Sequence, residues 1–311
     1  MRTIQVTLAA SCMLVLMCGI ALAQSKSKPK PKSKPKAKPI ARVSDERILE
    51  CSGIAVSRAN KNAVWMHNDS GDKPRLFLVG LDGRTKLTLN VDKVKAIDWE
   101  DVCTFSLDNK NWLLVGDIGD NMRNRSKRRP KVRLYLIEEP VLTARSAKVR
   151  TVKPARVISF EYEDGPGDCE GIAVDTAARK VLLLSKRVNP LRCRLYSLPL
   201  EPKKSKPIAK AIAQIPMPIC TGLDLSPDGL QLLMTSPRVG FLVQRARNES
   251  WDDAARRAPK PFQLPGQLRQ TEAICWDASA QSIFVTSEGK GQQIWQLYPP
   301  SGRESSPDEK E

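Results

Sequence analysis

One short phrase is written five times along this chain, and that recurrence constrains the fold more than any other feature. SGIAVSRANKNAVWMHND starts at Ser52, EDVCTFSLDNKNWLLVGD at Glu100, EGIAVDTAARKVLLLSK at Glu170, TGLDLSPDGLQLLMTS at Thr221 and EAICWDASAQSIFVTSE at Glu272. Each copy has a polar or acidic residue, a short alternating strand, a turn rich in Asn, Asp, Ser, Gly or Ala, and a second apolar strand ending in a polar group. Asp108-Asn109-Lys110-Asn111 and Pro227-Asp228-Gly229 are hairpin turns. Third strands follow at 75–82, 132–139, 192–199, 240–246 and 292–298, and weaker fourth strands at 85–91, 155–163, 209–217 and 259–266.

The starts are 48, 70, 51 and 51 residues apart, a spacing that suits four-stranded blades. The fifth copy lacks a fourth strand of its own, while 41–49 has no repeat of its own. Pairing that N-terminal stretch with the last blade closes a ring and removes its sheet edges. The reading is an all-β chain, a five-bladed β-propeller of four-stranded blades closed by an N-terminal strand, with six blades as the alternative.

The flanks differ in kind. Arg2 followed by an apolar run from Leu8 to Ala23, with Ala21-Leu22-Ala23 as a small-x-small site, predicts a signal peptide over 1–23 and a secreted or periplasmic protein; retention as a membrane anchor is the alternative. Residues 24–40 form a Lys/Pro-rich linker, in which seven lysines alternate with Ser, Pro and Ala as a stiff, solvated tether. The propeller is assigned to 41–299 and a disordered tail to 300–311. The formal charge of +17 falls to +9 without Arg2 and those lysines, so the folded part is only moderately basic. Export, the absence of a nucleic-acid-binding motif and 5% aromatic content argue against nucleic acid. An anionic cell envelope surface is the partner that suits the tether, and a monomer is expected. The six cysteines beyond the signal form no CxxC pair; buried free thiols are the default, with a Cys169–Cys220 bridge as the alternative.

In a propeller the first strand of each blade lines the axis, and the loop entering it shares a face with the loop leaving the second strand. Aligned repeats therefore predict two polar rings: Ser52, Glu100, Glu170, Thr221 and Glu272, then Asn68, Asp117, Lys186, Ser236 and Ser287. His67, Asp69 and Glu288 flank the second ring, and Asp98, Asp101, Asp120, Asn121 and Asp168 lie close by. Crowded glutamates repel, and three devices would offset this. One is a hard cation, Ca²⁺ or another divalent ion, on Glu100, Asp101, Glu170 and Glu272. The others are pairing with Lys186 and backbone capping between blades. His67, the single histidine, and Asp117 are the candidate catalytic residues for moving a proton. Asn68, Asp69, Lys186, Ser236, Ser287 and Glu288 are candidate ligand contacts. So are Asn121, the last residue of GDIGDN, and Arg123 and Arg125 of the basic insertion MRNRSKRRPK that follows it. No organic cofactor is expected.

The phrases DWED…GDIGDN, DCEGIAVD…LLSK, TGLDLSPDG and TEAI…VTSEG resemble an uncharacterised group of secreted bacterial propeller proteins over about 45–290. More remotely the chain is similar to gluconolactonase-like and phytase-like propellers. That resemblance implies an acidic, metal-containing axial site, and those relatives generally have six blades. Two functions are expected. One is a metal-dependent hydrolase acting on an anionic or carbohydrate-like ester, lactone or phosphate. The other is a non-catalytic binding or scaffold module of the envelope.

Overall fold

A computed structural model describes residues 37–120, 129–187, 191–268 and 270–299. The expected signal peptide, most of the linker, the tail and three candidate ligand contacts, Asn121, Arg123 and Arg125, lie outside the described residues.

The described chain is all-β, with a single four-residue helix, α1 (Trp251–Ala254), capped by Ser250. Its strands run in consecutive antiparallel meanders. The first contains β2 (Cys51–Val56), β3 (Ala63–Asn68), β4 (Arg75–Gly80) and β5 (Thr85–Val91); the second contains β6 (Trp99–Leu107), β7 (Lys110–Asp117), β8 (Val132–Glu138) and β10 (Arg156–Tyr162). The third contains β11 (Cys169–Asp175), β12 (Lys180–Ser185), β13 (Cys193–Pro199) and β14 (Ile208–Ile215). Next come β15 (Gly222–Leu225), β16 (Gln231–Thr235), β17 (Val239–Gln244) and β18 (Lys260–Gln263). The last has β19 (Thr271–Trp276), β20 (Ile283–Ser287) and β21 (Gln293–Leu297), and its fourth strand is β1 (Ala37–Arg42), which pairs with β21 from Ala37–Leu297 to Arg42–Gln293. Every copy of the repeated phrase forms, or leads directly into, the first two strands of one meander.

Both faces of most strands are apolar because both are covered. In β2 and β3, Ile54 and Met66 pack toward the last meander, while Ala55 and Trp65 pack toward the second. Five buried clusters lie between successive meanders, and the cluster joining last to first completes the cycle. The first strands pack on one another in the same order, β2, β6, β11, β15, β19 and back to β2.

Two features depart from expectation. The closing strand starts at Ala37, inside the segment assigned to the linker, and residues 43–49 turn away from the sheet instead of pairing. Strand β1 is an edge strand, where a proline such as Pro39 is tolerated. The long second repeat also harbours an extra strand, β9 (Val149–Val152), which crosses to the first meander and pairs in parallel with β5. Parallel pairing of Glu161-Tyr162 with Ile208-Ala209 joins the second and third meanders into one eight-stranded sheet.

Candidate functional site

The site is built at the entries to the first strands. In β2, β6, β11 and β19 the antiparallel register slips by one residue, and the residue left over is Ser52, Glu100, Glu170 or Glu272. A bulge re-aims the extra side chain out of the pleat, so one recurrent defect presents the repeat's leading residue in four meanders. Where that residue is not acidic it ties neighbours together. Ser52 Oγ donates to the Glu100 carbonyl at 2.8 Å and Thr221 Oγ1 to that of Thr271 at 2.7 Å.

Two overlapping carboxylate groups result, Asp69–Asp98–Glu100 and Glu100–Asp168–Glu170, with one ligand atom from each residue within 4.8 Å of the others. Asp98-x-Glu100 and Asp168-x-Glu170 are the same spacing in successive meanders. Two ionised carboxylates at that separation repel by about 3 kcal/mol at an effective dielectric near 20. Burial, then Glu170, then Asp69, Asp98 and Asp168, raise the Glu100 pKa well above the ordinary carboxylate range. Burial pushes Glu170 up to about 8 against the pull of Lys186. The Lys186 ammonium donates to Glu170 Oε1 at 2.5 Å. Burial works against that ammonium, but Glu170, with Asp168 and Glu100 behind it, prevails and raises its pKa.

The GDIGD segment, which runs out of the end of β7, walls this cluster. A Cβ on Gly119 would collide with Glu100 Oε1 and come within 2.6 Å of Asp98 Oδ2, so a larger residue would have to push these carboxylates aside. The Asp120 amide donates to Asp168 Oδ1 at 2.8 Å. Arg129 holds the segment down: Nη1 donates to the Gly119 carbonyl at 2.7 Å, Nη2 to Asp117 Oδ1 at 2.8 Å, and its backbone amide to Asp120 Oδ1 at 3.2 Å.

The candidate residues divide as follows. Glu100 and Glu170 meet as expected, and Asp69, Asp98 and Asp168 join them. Glu272 stays outside both groups, beside Glu288; burial lifts it to about 7 against a hydrogen bond from Gln270. Asp101 stands outside both carboxylate groups; its oxygens accept from the Val102 and Ile172 amides at 2.8 Å each. Asp117 is fully buried, accepting from the Asp98 amide and Arg129.

The His67 ring is fully buried, edge-on to Trp99 with centroids 5.9 Å apart, and Nδ1 donates to the Asn68 carbonyl. The Nε2 atom sits where a Cβ on Gly53 would lie, 2.3 Å away, and has no hydrogen-bond partner among the described residues. Burial lowers the His67 pKa and keeps the ring neutral.

Asn68 is spent on structure: Oδ1 accepts from the Leu49 and Glu50 amides, and Nδ2 donates to the Arg47 carbonyl and Asp72. Ser236 and Ser287 donate to the local carbonyls of Val239 and Glu288. All six cysteines of the described chain are buried free thiols with raised pKa values, and no Cys169–Cys220 bridge forms. The sequence signal for Gly119 is a glycine one residue before Asp120 in GDIGDN, while Arg129 is one of several basic residues in the insertion that follows.

No protein-family model matches the chain, and no match is found among the curated proteins. Among solved structures, a gluconolactonase from Xanthomonas campestris is similar over 80% of this chain and 72% of its own, with a TM-score of 0.48 and 10% sequence identity.

Proposed function

We propose that the chain is a five-bladed β-propeller hydrolase that holds a divalent cation at the entries to its first strands and cleaves an ester, lactone or phosphate of an anionic or carbohydrate-like substrate. The observation that carries this reading is the pair of carboxylate groups sharing Glu100, packed against the side-chain-free backbone of Gly119. The donor set is wholly oxygen, which suits Ca²⁺ or Mg²⁺ and not a thiol-loving metal. Asp98, Glu100, Asp168 and Glu170 would hold the ion, with Asp69 beside Glu100. A bound ion of this kind polarises the substrate oxygen.

The chain's own residues supply the rest. The Lys186 side chain is 31% exposed, so its ammonium can meet an anionic substrate group while still touching Glu170. Glu272, with its pKa near 7, is poised to take a proton from water at neutral pH. It replaces His67 and Asp117 in that role because their polar atoms are buried or engaged. The apolar run ending at Ala23 supports action outside the cytoplasm, and the Lys/Pro segment supports tethering to an anionic envelope surface.

Calorimetric titration of calcium and magnesium into the purified protein tests the reading, together with a panel of lactones, aryl esters and phosphomonoesters. Saturable binding is expected, at least tenfold weaker in Glu100→Gln, with turnover lost in Glu272→Gln. No binding of either ion at millimolar concentration would remove the cation. Binding without turnover on any of the panel would leave a cation-stabilised binding module.

A further inference from the structure

We propose a second ligand site at the opposite ends of the first strands, a pocket for a small anion bearing a carboxylate or phosphate, with Arg58 as its principal contact. A cavity of about 300 Å³ opens there between the ends of β6, β11 and β15, at the small end of the range for ligand pockets. Phe105, Val174 and Leu225 give it apolar walls, while Arg58 and Arg245 bring two guanidinium groups to its lining.

Hydrogen-bond accounting shows what the cavity lacks. Its carboxylates are spent: Asp224 accepts from the Leu225 and Trp276 amides, both at 2.8 Å. Asp175 accepts from the Ala178 amide at 3.1 Å and from Arg245 Nη1 at 2.8 Å. Asp228 Oδ1 accepts from Ser226 Oγ and from the Leu230 amide. The guanidinium donors are not spent. Arg58 gives Nε to Thr104 Oγ1 at a long 3.4 Å, and its Nη1 and Nη2 have no partner among the described residues. Arg245 gives Nε to the Gly229 carbonyl, stacks on Trp251 at 4.6 Å, and leaves Nη2 without a partner among those residues.

Arg58 follows β2, yet it lines this cavity together with Asp175 at the end of β11 and Asp224 on β15, so its side chain reaches across from its own meander. Unspent, coplanar Nη donors match the paired oxygens of a carboxylate or phosphate. The hydroxylated and apolar lining leaves room for a small organic body behind that group.

The test is calorimetric titration of inorganic phosphate and, separately, of succinate at low salt. Saturable binding of at least one anion is expected, weakened at least tenfold in Arg58→Gln and at least threefold in Arg58→Lys, which keeps the charge but loses the fork. Calcium affinity of the Arg58 variants should equal that of the parent, which separates this site from the acidic one. Which anion binds tells a phosphate ligand from a carboxylate one. Absence of heat with both anions up to about 10 mM, or equal affinity in the parent and either folded Arg58 variant, overturns the proposal.

Discussion

At the entries of the first strands, Asp98, Glu100, Asp168 and Glu170 crowd together, whereas at the exits Asp175 and Asp224 are held singly. Deep burial is common to Glu100, Glu170 and Asp175. Local hydrogen bonding separates the two ends. Asp224 has backbone amides on both oxygens and Arg58 nearby, so burial lifts it only to about 6. Glu100 is lifted well beyond the ordinary range by burial and by four neighbouring carboxylates. The lesson is that two buried carboxylates differ by their company: Asp224 sits among amide donors, Glu100 among other carboxylates. At the exits the imbalance has the other sign, since it is guanidinium N–H groups that lack acceptors.

The sharpest way to break this contrast is Arg129→Met. It leaves Asp117, which is fully buried, without its cation, and should cost about 3–5 kcal/mol in chemical denaturation. Calcium affinity should fall with it because Gly119 and Asp120 lose their anchor, while anion affinity of the folded fraction at the exits should not change.

A smaller effect is expected from pH. The folded pKa of Glu272, near 7, lies above the unfolded value near 4.5, so the folded state holds more protons between these limits. The stability this confers is fully present below pH 4.5 and is lost as pH rises toward 7, on the order of 2 kcal/mol for this group. Melting in EDTA should therefore decline over that window, with a shallower slope in Glu272→Gln. Added calcium should flatten the curve of the parent. A parent whose stability rises steadily from pH 4.5 to 7 in EDTA would refute the crowded-carboxylate account.

Gly119→Ala should cost about 1–3 kcal/mol for one methyl forced against Glu100 and Asp98. It should nonetheless weaken calcium at least tenfold. Unchanged calcium titration in that variant would mean that the ion, if bound, sits away from Gly119.

Much of the fold was legible because periodicity survives tertiary context. The five phrases mark the first two strands of each meander, and Thr85–Val91 is a strand where the alternation put one. The meeting of Glu100 with Glu170 was legible for the same reason. Other features depend on geometry that a string of letters does not carry. The bulges at Ser52, Glu100, Glu170 and Glu272 add no recognisable residue, yet they decide where those side chains point. One step along, Asp101 looks equally suited to a metal but falls on the amide of Ile172. His67 reads as a candidate for moving a proton, yet its ring is sealed in, because Gly53 opposite has no side chain to exclude it. Arg129 reads as one cation among many, and only its contacts with Asp117 and Gly119 set it apart. The crossing of β9 to another sheet leaves no trace in local composition.

The pairing of Ala37–Arg42 with Gln293–Leu297 has a kinetic consequence. The earliest described segment to be synthesised waits for the latest before either finds its hydrogen bonds. Entropy penalises so wide a separation only logarithmically, so the seam is inexpensive at equilibrium, but contacts of this range are slow to form. Throughout that delay the free side of Gln293–Leu297 is exposed to intermolecular pairing, and the concentration of newly made chains governs how many circles close correctly.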